Sequence, residues 1–200
     1  MKFSDVRLCF IFIQLLTGSV NAATIAGPFT YADNGHQYYL LSPSGWVNSE
    51  TEAHSIGGHL VTINDLAENQ WVFDTFAPLV NSLRPPSSDD IPSLWIGLSD
   101  AAVEGNHIWA NGEPFLFAHW DIGQPNNSGG DQDYVTMRAR GSNLRPEYPG
   151  FWNDYVDLAP RNEFGVVEVV PEPSGIVLAG IGSAFLAVRK RSHRTRYDRR

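Results

Sequence analysis

The strongest constraint on the fold comes from two short segments that carry oxygen-bearing side chains. Residues 124–126 read Gln-Pro-Asn, and residues 152–154 read Trp-Asn-Asp. Proline fixes its own φ and restricts the residue before it, so a turn or a cis bond at Pro125 can hold the two flanking amides on one side of a loop. Because Ca²⁺ takes about six to eight oxygen ligands and accepts amide carbonyls beside carboxylates, a fold that joins the segments suits a calcium ion. The donors that would meet are Gln124, Asn126, Asn153 and Asp154.

Further landmarks surround these segments in a fixed order. They are Gly-Gly-His-Leu-Val-Thr-Ile at 57–63, Trp-Ile-Gly-Leu at 95–98, Phe117 and Trp120 ahead of the first segment, and Val-Val-Glu at 166–168. From His36 to Val169, about two-thirds of the chain, this ordered set resembles a C-type lectin-like domain. The resemblance implies an α+β fold with two helices, small antiparallel sheets and a long ligand-binding loop region. We therefore expect this domain at residues 36–170, preceded by an N-terminal segment at 23–35.

The N-terminus has the order of a secretory signal. Lys2 and Arg7 precede the apolar run 8–16, and Val-Asn-Ala at 20–22 provides a small-residue cleavage site. The alternative is a buried first helix, but the flanks have the signal order and the run is too short to span a bilayer. We therefore expect residues 1–22 to be a signal peptide and the protein to be exported.

The C-terminus, residues 171–200, resembles a PEP-CTERM sorting tail, which is processed by an exosortase-type enzyme. Pro-Glu-Pro at 171–173 is followed by an apolar stretch at 175–188 and by a basic end with Arg-Lys-Arg at 189–191. Such a stretch enters the bilayer while the basic cluster stays on the cytoplasmic side. It covers only ~20–25 Å as a helix, so a permanent single-span anchor is the alternative to transient anchoring and release.

The only cysteine, Cys9, lies in the signal, so the exported domain has no disulfides. Members of the family it resembles commonly have two. By the family pattern, one pair would fall near Ala53 and Val167, and the other at Tyr134 and Asp157. Each lost bridge is typically worth ~2–4 kcal/mol, so core packing or a bound metal must compensate.

The charge of the domain restricts its partners. From Ala23 to Val170 there are five arginines, no lysine and nineteen acidic residues, which leaves a net charge of −14. So acidic a module is a poor binder of nucleic acid or of anionic membranes, and it is suited to cations or to solubility in salt. We expect membrane contact only through the C-terminal tail.

Local sequence patterns predict the positions of the helices, strands and loops. A helix capped by Ser49 or Thr51 ends at the glycines 57–58, and a second helix capped by Asn64 runs to Phe76. Strands are predicted at 36–42, 59–63, 95–98, 106–110, 134–138 and 164–170. Surface loops are predicted at 78–92 and 123–133, and the second of them is the expected binding surface.

The sequence also predicts the environment of two tryptophans and three arginines. Trp95 and Trp152 are predicted to lie in the core, because large aromatic side chains mostly fill interiors. Arg138, Arg140 and Arg145 are predicted to form a local ion pair with Glu147 in preference to binding an acidic polymer.

In calcium-dependent lectins of the family it resembles, the metal is held by the proline loop, by an acidic residue a few positions later and by the Asn-Asp pair. Two positions differ here, because Gln124 and Gln132 are amides where acids are usual, which leaves Asp154 as the one sure carboxylate. Asp131 or Asp133 could replace Gln132 if the glycines 129–130 shift. Carried over to this chain, the set is Gln124, Asn126, Gln132, Asn153 and Asp154.

An auxiliary calcium site falls at positions that some relatives use for one. The alternative is that its first two acids only cap a turn, which is common for Asp. The residues are Asp100, Glu104, Asn127 and Asp133.

The sequence supports three function classes to different extents. The first is a secreted or surface-associated bacterial carbohydrate-binding protein that uses Ca²⁺ to hold a glycan such as an exopolysaccharide. The second is a metal-independent scaffold that binds protein or has a structural role in a matrix. An enzyme has little support, since the chain lacks an HExxH pair, a G-x-S-x-G elbow and a free thiol after signal removal. The sugar stays open, because Gln-Pro-Asn mixes the Glu-Pro-Asn of mannose-type sites with the Gln-Pro-Asp of galactose-type sites.

Overall fold

The computed structural model describes residues 22–83, 92–140, 150–157 and 162–172. The predicted signal up to residue 21, the tail beyond residue 172, Arg145 and Glu147 lie outside the described residues. Within these ranges, two helices and eight strands form an α+β fold. The helices are α1 (Trp46–Ser55) and α2 (Leu66–Ser82). The strands are β1 (Thr24–Thr30), β2 (Gln37–Pro43), β3 (His59–Leu60), β4 (Ser93–Ser99), β5 (Ile108–Trp109), β6 (Tyr134–Arg138), β7 (Trp152–Tyr155) and β8 (Glu163–Val169).

The strands join in one sheet with the order β1-β2-β8-β4-β6-β7, while β3 pairs with β8 and β5 pairs with β4. The pairings between these strands are antiparallel except for β4 with β8, which run parallel. The strand β1 falls in the segment that the sequence places ahead of the domain, and it pairs with β2. The predicted fold class is therefore confirmed, and the antiparallel strand sets are connected through one parallel pair.

The two helices cover opposite faces of this sheet. Side chains alternate along a strand with a period of two, so neighbours on β2 and β8 point to different layers. Leu40 and Val166 lie in the core cluster that contains Phe76 of α2. Leu41 and Val167 lie in a second cluster with Ala53 of α1. The sheet is thus the central layer of the domain.

The start of α1 differs from the prediction. The helix begins at Trp46 with Gly45 as its N-cap residue, and no side chain caps it. Ser49 lies inside the helix, where its buried hydroxyl is 2.6 Å from the hydroxyl of Ser44. The predicted cap at Ser49 or Thr51 was therefore wrong. The predicted stop is found, because Gly57 takes φ +84 directly after the C-cap residue.

Helix α2 is capped by Asp65 instead of Asn64. Asp65 accepts a hydrogen bond from the Glu68 N–H at 2.9 Å, and the Glu68 carboxylate accepts from the Asn64 N–H at 2.8 Å. This reciprocal arrangement resembles a capping box. The helix also continues through Pro78 to Ser82, where the sequence predicts an end at Phe76 and a loop from residue 78. The apolar face continues to the fully buried Val80, so packing overrides the proline.

Both positions expected for missing disulfides are filled by packed side chains. Ala53 and Val167 are fully buried and share one apolar cluster. At the second position, the Tyr134 ring lies 4.8 Å from the Trp46 ring, and Asp157 accepts a hydrogen bond from the Trp46 N–H at 2.7 Å. Burial raises the pKa of Tyr134, and the nearby Asp157 raises it further. Apolar packing and hydrogen bonding thus occupy both positions.

The predicted burial of Trp95 and Trp152 is confirmed, and both are less than 2% exposed. Their indole N–H groups are satisfied inside the protein. Trp95 donates to the Ser44 carbonyl at 2.8 Å, and Trp152 donates to the Asn69 side chain at 2.8 Å.

Across the described ranges, we find no helix with both the length and the apolar character to cross a membrane.

Candidate ligand-binding site

The site lies where the loop of residues 121–133, here named the Pro125 loop, meets β7. Strand β7 pairs with β6, with Asp154 opposite Val135 and Asn153 opposite Thr136. On its other side, the segment ahead of the loop runs parallel to β7 through a bridge between Trp120 and Trp152. The loop therefore starts beside the strand that carries the Trp-Asn-Asp segment.

Pro125 follows a cis peptide bond from Gln124, one of the two geometries expected from the sequence. The Gln124 N–H donates to the Asp121 carbonyl at 3.1 Å, which closes the turn ahead of the proline. Beyond the proline, the loop returns toward β7.

Asp154 joins the two predicted segments directly. Its carboxylate is 2% exposed, and Oδ2 accepts the N–H groups of Asn126 at 2.8 Å and Asn127 at 2.5 Å. Hydrogen bonds from N–H groups to a carboxylate are charge-assisted and stronger than neutral ones. The fold thus brings residues 124–126 and 152–154 together, as the sequence requires of a shared site.

One buried side-chain oxygen in each of the two segments has no hydrogen-bond partner among the described residues. These oxygens are Asp154 Oδ1 and Gln124 Oε1. Unpaired buried acceptors are rare in folded proteins, and each one calls for an explanation such as a bound ion. Both atoms belong to the predicted calcium ligand set.

The next two predicted ligands take part in hydrogen bonds within the loop. The Ser128 N–H lies 3.0 Å from Asn126 Oδ1 and 2.5 Å from Gln132 Oε1. The Gln132 N–H in turn donates to Asn127 Oδ1 at 3.0 Å. Asn127 takes φ 41, a left-handed conformation that Asn tolerates better than most residues. The loop is thus ordered by its own hydrogen bonds.

The Asn153 side chain is hydrogen-bonded to a positively charged residue. Its Oδ1 accepts from the Arg138 guanidinium at 3.1 Å, and its Nδ2 donates to the Asp154 carbonyl at 2.6 Å. Arg138 Nε also lies 3.4 Å from Asp121 Oδ2, and Asp121 is buried. The arrangement holds a positive charge beside one of the predicted metal ligands.

Sequence reasoning did not assign Arg138 and Asp121 to the site. It placed Arg138 near Glu147, which lies outside the described residues, whereas the structure pairs Arg138 with Asp121 and Asn153. The sequence offers no direct signal for this contact, because it depends on the register that pairs Thr136 with Asn153 and so places Arg138 on the same face of the sheet. Arg140 is also bound elsewhere, since its Nε donates to the Asn81 side chain at 2.6 Å.

The auxiliary set is only partly gathered. The Asp100 N–H donates to the Asp133 carbonyl at 3.0 Å, which joins those two residues through the backbone. Asp100 Oδ2 accepts from the Gly105 N–H at 2.9 Å, so this carboxylate caps the turn that follows it. Glu104 in that turn is exposed. These contacts favour the turn-capping interpretation, although Asp100 Oδ1 is also a buried oxygen without a hydrogen-bond partner in the described ranges.

The fold is similar to those of several solved structures. The cow C-type carbohydrate-recognition domain of CD23, solved in the presence of GlcNAc2Man3 oligosaccharide, aligns with a TM-score of 0.57 at 20% identity over 76% of this chain and 100% of that one. C-type lectin CEL-I from Cucumaria echinata aligns at 0.55 with 23% identity over 78% and 99% of the two chains. A calcium-independent type II antifreeze protein aligns at 0.53 with 20% identity over 73% and 95%. At these identities, the likeness shows the fold alone.

The chain is also similar in sequence to several characterised proteins. C-type lectin domain family 4 member E of Homo sapiens is 30% identical over 142 residues, which are 70% of this chain and 56% of the human protein. Perlucin-like protein of Mytilus galloprovincialis is 29% identical over 60% of this chain and 73% of that protein. The low affinity immunoglobulin epsilon Fc receptor of Mus musculus is 28% identical, and this chain spans 29% of its length.

Two family models match successive parts of the chain. The PEP-CTERM protein-sorting motif matches residues 169–192, which indicates export and sorting. The lectin C-type domain matches residues 42–160, and that range contains both segments of the site. With more than half of its length matched, and with the fold and the junction at Asp154 in agreement, the chain belongs to the C-type lectin domain family.

Proposed function

We propose that this domain binds a glycan through a Ca²⁺ ion held between the Pro125 loop and β7. The observation that carries the proposal is the pair of buried acceptors without partners, Gln124 Oε1 and Asp154 Oδ1. An unsatisfied buried polar atom costs about 1–3 kcal/mol. A cation bound at these atoms would remove that cost, and C-type lectin domains typically bind calcium.

The residues present suit calcium by their chemistry. Gln124 and Asp154 would hold the ion through oxygens that are free of other bonds. Asn126, Gln132 and Asn153 would add amide oxygens by giving up their bonds to the Ser128 N–H and to Arg138. When bound, Ca²⁺ supplies a positive charge with coordination positions that sugar hydroxyl oxygens can take.

We expect weak metal affinity because Asp154 is the one carboxylate in this set. Calcium affinity follows the number of charged ligands and the rigidity of the site, and extracellular modules bind with Kd of about 0.1–1 mM. The guanidinium of Arg138, which donates to Asn153 Oδ1, further opposes a second cation nearby. A Kd on the order of 1 mM is therefore expected.

The sorting motif and the charge suggest where the protein acts. The PEP-CTERM match supports export, processing by an exosortase-type enzyme and a final place at the bacterial cell surface or in the extracellular matrix. With no lysine between Ala23 and Val170, the domain has few groups that attract polyanions. A neutral or weakly acidic exopolysaccharide is the partner class that fits, and the role proposed for the domain is binding without catalysis.

Retention on immobilised polysaccharides tests the proposal. The full chain is passed over columns carrying mannose-rich, galactose-rich or exopolysaccharide polymers, with 10 mM calcium or with a chelator as chosen conditions that bracket a Kd of about 1 mM. We expect retention on at least one polymer that is lost with the chelator and in Asp154→Asn. The matched control is Asp74→Asn, which removes an exposed carboxylate on α2. Retention that ignores the chelator would contradict the calcium role.

A metal-independent scaffold is the second candidate, and a specific observation favours it. Asn126, Gln132 and Asn153 already use their side-chain oxygens in hydrogen bonds within the protein. Such a loop can bind a protein or a matrix component without any metal. The two candidates separate in the same experiment, since the scaffold predicts retention or partner binding that is equal with calcium and with chelator.

A further inference from the structure

A second cluster of metal-ligating side chains lies where α1 meets β3. Glu50 and His54 are one turn apart on α1, so they lie on the same face of that helix. The chain leaves α1 through Gly57 at φ +84 and returns along β3, which starts with His59. A Cβ at Gly58 would collide with the Glu168 carbonyl, so glycine permits the close approach of this turn to β8. The short turn places His59 against the helix.

The carboxylate of Glu50 is held in one orientation. Its Oε2 accepts the Leu60 N–H at 2.8 Å, and the side chain is 12% exposed. Its Oε1 lies 2.8 Å from His59 Nδ1 and 3.2 Å from His54 Nε2. The two imidazole rings are 4.4 Å apart and cross at 73°. One carboxylate oxygen therefore faces two imidazole nitrogens, while the other oxygen is fixed by the backbone.

These three ligand atoms lie within 4.8 Å of one another. In a tetrahedral zinc site with metal–ligand distances of about 2.0–2.2 Å, neighbouring ligand atoms are ~3.2–3.6 Å apart. The separations on both sides of Glu50 Oε1 are close to that range, so small side-chain movements would seat an ion. Two histidines and one carboxylate with an open fourth position form a known zinc ligand set.

We propose that Glu50, His54 and His59 form a binding site for a divalent transition-metal cation of the zinc class. The Leu60 N–H donates to the Glu50 carboxylate and so orients it, as outer-shell hydrogen bonds do for metal ligands. His54 is 59% exposed, so the site opens to solvent on that side and a water molecule can take the fourth position. Imidazole nitrogens select zinc-like ions over calcium, which prefers oxygen.

The proposed zinc site is separate from the Pro125 loop. Strand β3 pairs with β8, and β4 and β6 lie between β8 and β7 in the sheet. The two sites therefore use different elements and different ligand chemistry. Failure of the calcium proposal would leave this one untouched, and the reverse also holds.

Zinc titration of the full chain against a chromophoric chelator tests the site. The parent should bind zinc at this cluster, and His54→Gln and His59→Gln should each weaken that binding by at least about tenfold. His54→Gln changes an exposed side chain, so it should stay folded by circular dichroism. Cobalt(II) provides the second readout, since a tetrahedral site gives visible absorption that should be lost in both variants.

The matched control is His36→Gln. His36 Nδ1 also lies 2.6 Å from a carboxylate, that of Glu168, but it does not belong to the three-ligand cluster. Every protein is made with His193→Gln, which removes a histidine of the tail. Zinc binding that is absent in the parent, unchanged in His54→Gln, or weakened equally by His36→Gln would overturn the proposal.

Discussion

Two buried carboxylates, Glu68 on α2 and Asp154 on β7, are satisfied in opposite ways. They are 4% and 2% exposed. Both oxygens of Glu68 accept hydrogen bonds, Oε1 from the Tyr38 hydroxyl at 2.7 Å and Oε2 from the Asn64 N–H at 2.8 Å. Asp154 accepts through Oδ2, while its Oδ1 has no hydrogen-bond partner in the described part of the chain. The protein thus satisfies the Glu68 carboxylate internally, whereas it leaves one oxygen of Asp154 as an acceptor for a bound group.

The same contrast extends to the layers around each carboxylate. Near Glu68, the core is closed by aromatic rings. Tyr38 is fully buried with its ring 4.8 Å from that of Trp71, which in turn packs edge-on to Phe76 at 6.2 Å. Around the Pro125 loop, Asn126 and Ser128 are exposed, and hydrogen bonds provide most of the order. Substitutions in the first region should therefore lower stability, and those in the second should lower binding.

The largest expected effect is on the scaffold. Phe76→Ala should lower the free energy of unfolding by about 3–5 kcal/mol, because it removes a fully buried ring from the core. Urea unfolding monitored by tryptophan fluorescence measures the change. The control is Leu116→Ala, at a side chain that is 90% exposed, with an expected change within about 0.5 kcal/mol. Equal losses in the two variants would contradict the assignment of the core.

Asp154→Asn should lower stability less than Phe76→Ala does, but it should abolish the stabilisation of the domain by calcium. The amide keeps an acceptor for the N–H groups of Asn126 and Asn127 but loses its charge, so we expect a loss of about 1–2 kcal/mol. The parent should gain ~1.4 kcal/mol at a calcium concentration of about ten times Kd, and the variant should gain nothing. Thermal melts with calcium and with chelator measure both effects. A calcium gain that survives in Asp154→Asn would remove this carboxylate from the metal site.

Stability should also depend on pH through Glu68. Burial raises the pKa of Glu68 above its ordinary value, although the Asn64 N–H and the Tyr38 hydroxyl act to lower it. A folded-state pKa above the unfolded one means that the folded state binds more protons. The contribution of protonated Glu68 to the free energy of unfolding is then fully present below the unfolded-state pKa. It is lost as pH rises through the folded-state pKa.

Glu68→Gln removes that titration and so tests it. The free energy of unfolding of the parent, minus that of Glu68→Gln, should fall as pH rises from about 4.5 toward neutrality. Asp74→Asn, at an exposed carboxylate on the same helix, serves as the control, and all measurements contain chelator. A difference that rises with pH over this range would show that Glu68 is stabilised in its charged form.

Much of the fold could be predicted because its signals are local. The glycines 57–58 end α1, the tryptophans at 95 and 152 mark buried strands, and Pro125 marks the loop. The misplaced helix ends had non-local causes. Ser49 is held inside α1 by a bond to Ser44, and α2 continues past Pro78 because Val80 packs in the core.

The site was harder to predict than the fold. Asp154 could be identified from its motif, but its bonds to two loop N–H groups depend on the path of the loop. The pairing of Arg138 with Asp121 and Asn153 depends on the register between β6 and β7. The cluster of Glu50, His54 and His59 needed the turn at Gly57, which brings β3 back onto α1. Contacts that depend on register or on chain reversal are not encoded in any single segment.

The smallest expected effect restores a charge to the loop. Gln132 Oε1 accepts the Ser128 N–H beside Asn126, so a carboxylate at this position would lie among the predicted ligands. Gln132→Glu should tighten calcium binding, since affinity follows ligand charge. If Kd falls about threefold, the gain in unfolding free energy at ten times the parent Kd rises by ~0.6 kcal/mol. The control is Gln70→Glu on α2, which adds the same charge outside the Pro125 loop. It should leave the stabilisation by calcium unchanged. A parent and a Gln132→Glu variant that both ignore calcium would leave the metal-independent scaffold as the function of this domain, and the unpaired acceptors of Gln124 and Asp154 would then require a donor group from a bound partner.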